Sequence, residues 1–153
     1  MFHVVLYEPE IPQNTGNIAR LCAATGATLH LIEPLGFFWD DPRAKRAGLD
    51  YWEAVEVKRH RGWEAFLSAC PGADLWLFST KGGRSYAEER YSPGDYLVFG
   101  PETRGLPAEI LEARPERCLR LPMRPGIRSL NLANAVAVVL YEALRQLDFP
   151  GLI

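Results

Sequence analysis

Three stretches of this chain concentrate residue types that grip and align a small molecule. The first is Pro9-Glu10-Ile11-Pro12-Gln13-Asn14-Thr15-Gly16-Asn17, with Arg20 one helical turn beyond Gly16. The second is Gly100-Pro101-Glu102-Thr103-Arg104-Gly105-Leu106-Pro107, and the third runs from Pro122-Met123-Arg124-Pro125-Gly126 through Ser129, Leu130, Asn131 and Asn134. Glycines such as Gly100 and Gly105 permit close backbone approach to a ligand, and flanking prolines stiffen the same turns. Loops this rigid, lined with amides, hydroxyls and guanidinium groups, fit ligand alignment better than they fit a flexible connection. Glu102, framed by Gly-Pro and Arg-Gly, is a candidate for holding a hydroxyl. Arg20 is placed to point back toward the first loop.

Each stretch also has a plain structural reading. Asn14 or Thr15 is expected to cap a first helix, and Ser129 a last one. Asn131 and Asn134 are poor helix formers. At i and i+3 they share a face near a helix N-terminus, where polar or negative ligands are favoured. No stretch matches a Gly-x-Gly-x-x-Gly dinucleotide loop or a phosphate loop. Lys81-Gly82-Gly83 is only a fragment of one, and there is no Gly-x-Ser-x-Gly elbow. Cys22, Cys70 and Cys118 are too widely spaced for a metal motif and read as reduced thiols. His3, His30 and His60 are scattered, the first two within apolar strand patterns, so packing roles and no metal site are expected.

These loops need a scaffold. Apolar runs over 2–7, Thr28–Ile32, 74–79, Tyr96–Phe99 and 118–121 read as strands. Helical patterns fall over 16–25, Trp63–Ala69, 107–113 and 130–147. Gly26 stops the first helix. The last carries Leu130, Ala133, Val136, Leu140, Ala143 and Leu147 on one face. Alternating Val/Leu-rich strands and helices predict an α/β fold with a mainly parallel sheet and helices on both faces. In such sheets ligands bind beyond the carboxyl ends of the strands, where the three loops fall. The stretch 37–51 is the least regular.

The chain has 153 residues, 48% hydrophobic and 24% charged, with net charge −2. This is ordinary composition for one globular domain, 1–153. The start lacks a basic n-region, and the apolar run from Ala135 to Tyr141 is too short to span a bilayer. A cytoplasmic protein without membrane association is expected. The net charge disfavours indiscriminate nucleic-acid coating but permits a local basic face. Arg43, Lys45 and Arg46 form one cluster, and Lys58, Arg59, His60 and Arg61 another; Phe37, Phe38 and Trp39 beside the first offer base stacking. Solvated surface is the competing reading of both clusters.

In order and spacing, the three stretches resemble the motifs of the SPOUT methyltransferases, most closely the small TrmL-type tRNA 2′-O-methyltransferases that modify the wobble nucleotide. The likeness covers nearly the whole chain. Its most specific part is Phe99-Gly100-Pro101-Glu102-Thr103-Arg104-Gly105-Leu106-Pro107 together with Ser129-Leu130-Asn131-Leu132, and the motifs show no major departure. The resemblance implies a sheet whose C-terminal part is tied in a trefoil knot, a feature general topology rules would not predict. It implies S-adenosylmethionine held by the backbone of three loops, around Phe78, Ser79 and Thr80, around Gly100 and Gly105, and around Leu121, with Glu102, Ser129 and Leu130 completing the pocket. It places Asn14, Arg20, Glu102, Ser129 and Asn131 at polar active-site positions. It further implies a homodimer packed through the last helix and the helix after the first motif, acting on the tRNA anticodon stem-loop. On a chain this small, part of the last helix's apolar stripe, Val136, Val139, Leu140 and Ala143, is expected to remain for that partner.

Methyl transfer from a sulfonium is an in-line displacement, so the protein must align donor and ribose hydroxyl and help remove a proton. Arg20 is a poor base, because a guanidinium stays protonated. It is better read as a clamp on the target phosphate that polarises the hydroxyl. A non-catalytic RNA-binding module on the same fold is the alternative; the intact set Arg20, Glu102, Ser129 and Asn131 argues against it. An unrelated nucleotide-binding protein is disfavoured by the missing phosphate loop.

Overall fold

The computed structural model describes residues 1–47 and 49–153. The strands are β1 (His3–Tyr7), β2 (Thr28–Ile32), β3 (Val57–His60), β4 (Leu75–Phe78), β5 (Arg84–Ser85), β6 (Tyr96–Phe99) and β7 (Cys118–Arg120). The α-helices are α1 (Pro12–Thr25), α2 (Pro42–Ala47), α3 (Trp63–Ala69), α4 (Ala108–Ala113) and α5 (Leu132–Gln146). Short 3-10 turns occupy Leu49–Ala54, Tyr86–Glu88 and Pro115–Arg117. Among the described residues, seven strands form one sheet in the order β3-β2-β1-β6-β4-β7-β5, with every pairing parallel.

Alternation along the strands builds two cores. Val4, Leu6, Leu29, Leu31, Leu97 and Phe99 point to the face covered by α1 and α5, where they meet Ile18, Cys22, Val136, Val139 and Leu140. Val5, Ile32, Leu75, Leu77 and Val98 point the other way, onto Phe66 of α3 and Ile110 of α4. Being covered on both faces is why the strands read as continuous apolar runs.

The five expected strands and four expected helices are present, with shifted ends. Two strands and α2 went unread. In β3, Val57-Lys58-Arg59-His60 is an edge strand with two exposed cations, and β5 has only two residues. The irregular stretch 37–51 holds α2 and the start of a 3-10 turn; residue 48 lies outside the described residues.

Two capping expectations are corrected. α1 begins at Pro12, with Ile11 as its N-cap, so neither Asn14 nor Thr15 caps it. α5 begins at Leu132, and its cap is Asn131 rather than Ser129: the Asn131 side-chain oxygen accepts a hydrogen bond from the Asn134 backbone N–H at 3.1 Å. The Asn131/Asn134 spacing is thus a helix-start device. Among the described residues, no helix is long and apolar enough to cross a membrane.

Candidate active site

The register aligns the ends of three strands: Phe78 of β4 lies opposite both Phe99 of β6 and Leu119 of β7. The Phe78 and Phe99 rings stack at 4.8 Å. The loops leaving these strands therefore emerge side by side and enclose a cavity of about 770 Å³. Phe78, Ser79 and Thr80 line it from the first loop; Gly100, Glu102 and Gly105 from the second; Leu121, Ser129 and Leu130 from the third. The sequence reading missed Lys81, Met123, Ile127 and Arg128, which also line it. Arg128 and Met123 lie inside the third stretch and were legible there. A volume of this size suits a nucleoside-sized ligand.

Backbone contact shapes the second loop. Gly105 has φ +70°, and a Cβ on Gly100 would fall 2.3 Å from the Leu106 nitrogen and 2.4 Å from the Gly105 carbonyl carbon. Both obstacles are backbone, so a methyl group forces the loop itself to move. Gly100→Ala is expected to weaken cofactor binding at least about tenfold while leaving the sheet folded, as checked by calorimetry alongside circular dichroism.

A polar chain ties the second and third loops to α1. The Glu102 carboxylate accepts from the Glu10 N–H (2.8 Å), the Ile11 N–H (2.9 Å) and Asn14 Nδ2 (3.2 Å). The Asn14 side-chain oxygen accepts from Asn131 Nδ2 at 3.1 Å. In return, Glu10 accepts from the Thr103 N–H (2.9 Å) and hydroxyl (2.7 Å). Those two bonds from Thr103, with the Arg104 guanidinium nearby, hold the Glu10 carboxyl below the usual carboxylate range. Arg104 also pairs with Glu8 at 3.3 Å. Glu102 was expected to hold a hydroxyl. Three of its roughly four acceptor positions are used within the chain, which leaves about one at the cavity wall. It satisfies the two backbone N–H groups that lead into α1, whose N-cap Ile11 has no capping side-chain oxygen of its own.

Asn14, Glu102 and Asn131 thus come together; of the three Glu102 lines the cavity, as Ser129 does, while Asn14 and Asn131 stand behind its wall. Arg20 does not line this cavity. It is exposed on α1 along the stripe Gln13, Asn17, Arg20 and Ala24, which faces away from the sheet. The expected apolar stripe for a partner, Val136, Val139, Leu140 and Ala143, is fully buried in the chain's own core. The apolar residues that α5 does expose are Val138 and Tyr141, at 41% and 44%.

The basic clusters are partly neutralised. Arg43 pairs with Asp41, Lys58 with Glu56 and Arg59 with Glu33, and the Arg59 guanidinium also lies over the Trp39 ring at 5.2 Å. Phe38 is 83% exposed.

A parallel sheet with a loop-walled cavity beyond its carboxyl strand ends is the arrangement in which α/β proteins take nucleotide-like ligands, here without a phosphate cradle. Residues 1–141 match the SpoU rRNA methylase family, and the chain belongs to that family. It is 59% identical over 152 residues to the tRNA (cytidine(34)-2'-O)-methyltransferase of Escherichia coli strain K12, covering 99% of this chain and 97% of that one. A solved structure described as giving structural insights into the 2-OH methylation of C/U34 on tRNA superposes with TM-score 0.93 at 56% identity, over 97% of both chains. The AdoMet-bound rRNA methyltransferase from Sinorhizobium meliloti is more distant, with TM-score 0.84 and 27% identity over 95% of this chain and 56% of that one.

Proposed function

We propose that this chain transfers a methyl group from S-adenosylmethionine to the 2′-hydroxyl of the wobble nucleotide, position 34, in the anticodon stem-loop of tRNA. The carrying observation is the cavity walled by three rigid loops and coupled through Glu102, Asn14 and Asn131 to the start of α1. The near full-length likeness to a tRNA (cytidine(34)-2'-O)-methyltransferase supports the substrate.

The residues fit the cofactor. Apolar Leu121, Leu130 and Leu106 can flank an adenine, Ser79, Thr80 and Ser129 offer polar partners, and no phosphate cradle is needed. Phe78, Ser79, Thr80, Gly100, Gly105, Leu121, Ser129 and Leu130 would hold it. When bound, it supplies a methyl group already activated by a sulfonium. The protein's own part is alignment and desolvation: Gly100 and Gly105 set the wall, while Asn14 and Asn131 fix the α1–α5 junction. Glu102 places a carboxylate at the cavity edge. Arg20 clamps the target's phosphate and polarises the ribose hydroxyl, with a neighbouring phosphate of the RNA as proton acceptor. The reaction calls for no metal.

Three further features belong to this reading. The chain works as one domain, 1–153. Its C-terminal part is knotted: β7 inserts between β4 and β5, and a Cβ on Gly82 would lie 2.4 Å from the Leu119 carbonyl carbon, so the loop after β4 crosses directly against β7. The protein acts as a homodimer through α1 and α5, which pack side by side and leave Arg20, Val138 and Tyr141 facing outward.

Incubation with methyl-labelled cofactor and total tRNA, followed by mapping of the modified nucleotide, tests the assignment. Label on the ribose of nucleotide 34 is expected. Label confined to another position, or none with a correctly folded protein, would overturn it.

A further inference from the structure

The three histidines, distant in sequence, meet on the sheet face away from α1 and α5. His3, His30 and His60 come from β1, β2 and β3. His3 Nδ1 and His30 Nε2 share a hydrogen bond of 2.9 Å, and His30 Nδ1 and His60 Nε2 share one of 3.0 Å. Cys70, which ends α3, brings a sulfur to the same place: one donor atom each from His30, His60 and Cys70 lie within 4.8 Å of one another. His30 is fully buried, His60 nearly so, and Cys70 is half-buried, which leaves an approach from solvent on the Cys70 side.

We infer that His30, His60 and Cys70 form a binding site for a zinc-type divalent ion that fastens α3 to the sheet, on the side of the fold remote from the cofactor cavity. The donor set fits. Two imidazoles and a thiolate are the borderline-soft ligands zinc selects. With Zn–N near 2.0 Å and Zn–S near 2.3 Å, tetrahedral donors stand roughly 3.3–3.6 Å apart. From 4.8 Å the widest pair needs to close by roughly 1.2–1.5 Å, within the reach of a cysteine rotamer change, while the two imidazole nitrogens at 3.0 Å open slightly.

The surroundings are also those of a ligand set. A metal-binding imidazole usually hands its second ring nitrogen to an acceptor that fixes its orientation. His30 has this arrangement, with His3 on its far nitrogen. His3 is in turn stacked flat on Tyr96, with ring centroids 4.0 Å apart and planes within 4°. Lys58 is the opposing cation, and it pairs with Glu56 at 3.4 Å. Binding moves the proton of the His30–His60 hydrogen bond to another ring nitrogen and releases the Cys70 thiol proton. A water takes the fourth position.

The test uses the full chain, stripped with a chelator and titrated with Co²⁺ and then Zn²⁺. One equivalent of Co²⁺ should bind with a sulfur-to-cobalt charge-transfer band, Zn²⁺ should displace it, and Zn²⁺ should raise Tm by several degrees. Cys70→Ser should abolish the band and weaken Zn²⁺ binding by at least about 100-fold. His3→Asn, which removes the orienting contact to His30 together with the stack on Tyr96 and leaves all three ligands in place, should weaken it by about 10–100-fold. Absence of saturable binding would overturn the site. So would binding of equal strength in the wild type and in Cys70→Ser, which would mark adventitious surface chelation. Cys70→Ser replaces one half-buried atom, so the readout stands even if a histidine variant fails to fold.

Discussion

Replacing Glu102 by alanine is expected to lower stability by about 2–4 kcal/mol and to abolish most methyl transfer. Three donors converge on its carboxylate: the Glu10 and Ile11 N–H groups and the Asn14 amide. Hydrogen bonds to a charged group contribute about 1.5–3 kcal/mol each, and a donor stranded away from water costs about 1–3 kcal/mol. Partial exposure reduces the total, since Ile11 is exposed and water can reach its N–H. The negative charge at the start of α1 adds roughly 0.3–1 kcal/mol through the helix dipole. Glu102→Gln separates this role from direct contact with a substrate hydroxyl. Its amide NH₂ would face a donor, so the glutamine variant should lose about half as much stability as the alanine variant. A residue that served only a substrate hydroxyl would leave Tm unchanged in both. Thermal melts of the free protein, beside turnover, decide between the two roles.

How much of this could be read in the residues depends on the range of the interaction. The central strands declare themselves because a parallel sheet buried on both faces needs unbroken Val and Leu runs, as in Leu75-Trp76-Leu77-Phe78. An edge strand has no such need, and Val57-Lys58-Arg59-His60 hides among charges. The start of α5 was misjudged because Ser129 and Asn131 are both good caps, and the choice falls to Asn131 through its bond to Asn14, 117 residues away. The α5 stripe was correctly seen as apolar but wrongly offered to a partner, because periodicity does not say which surface covers a face. The same limit applies to Glu102, whose partners lie about ninety residues earlier. Loop composition together with the family resemblance pointed to the lining of the cavity. Composition alone pointed to three rigid loops, without showing that they share one wall. The histidines show the cost of reading spacing along the chain: positions 3, 30 and 60 fit no ligand motif, yet adjacent strands bring them into one hydrogen-bonded row.

Co-expressed as a mixed dimer, Arg20→Ala and Gly100→Ala should together recover activity that neither has alone. Arg20 stands on the outward stripe of α1 and does not line its own chain's cavity, whereas Gly100 forms the wall of that cavity. If two copies pack through α1 and α5 about a two-fold axis, Arg20 of one protomer reaches the cavity of its partner, and each site draws its wall and its clamp from different chains. Either homodimer then has two defective sites: Arg20→Ala should keep less than about a hundredth of wild-type turnover, in line with the two to four decades typical of a group that assists proton removal, and Gly100→Ala, assayed below saturating cofactor, should lose at least about tenfold through its displaced wall. A mixed dimer differs. Its two defects fall in one site, and the other site receives an intact wall from the Arg20→Ala chain and an intact Arg20 from the Gly100→Ala chain. With free exchange of equal amounts, half the dimers are mixed and each has one sound site, so about a quarter of wild-type activity should return. Different affinity tags on the two chains allow the mixed species to be purified, and its turnover should reach about half that of wild type. If a verified mixed dimer stays as inactive as its parents, Arg20 serves the site of its own chain and the shared arrangement is wrong.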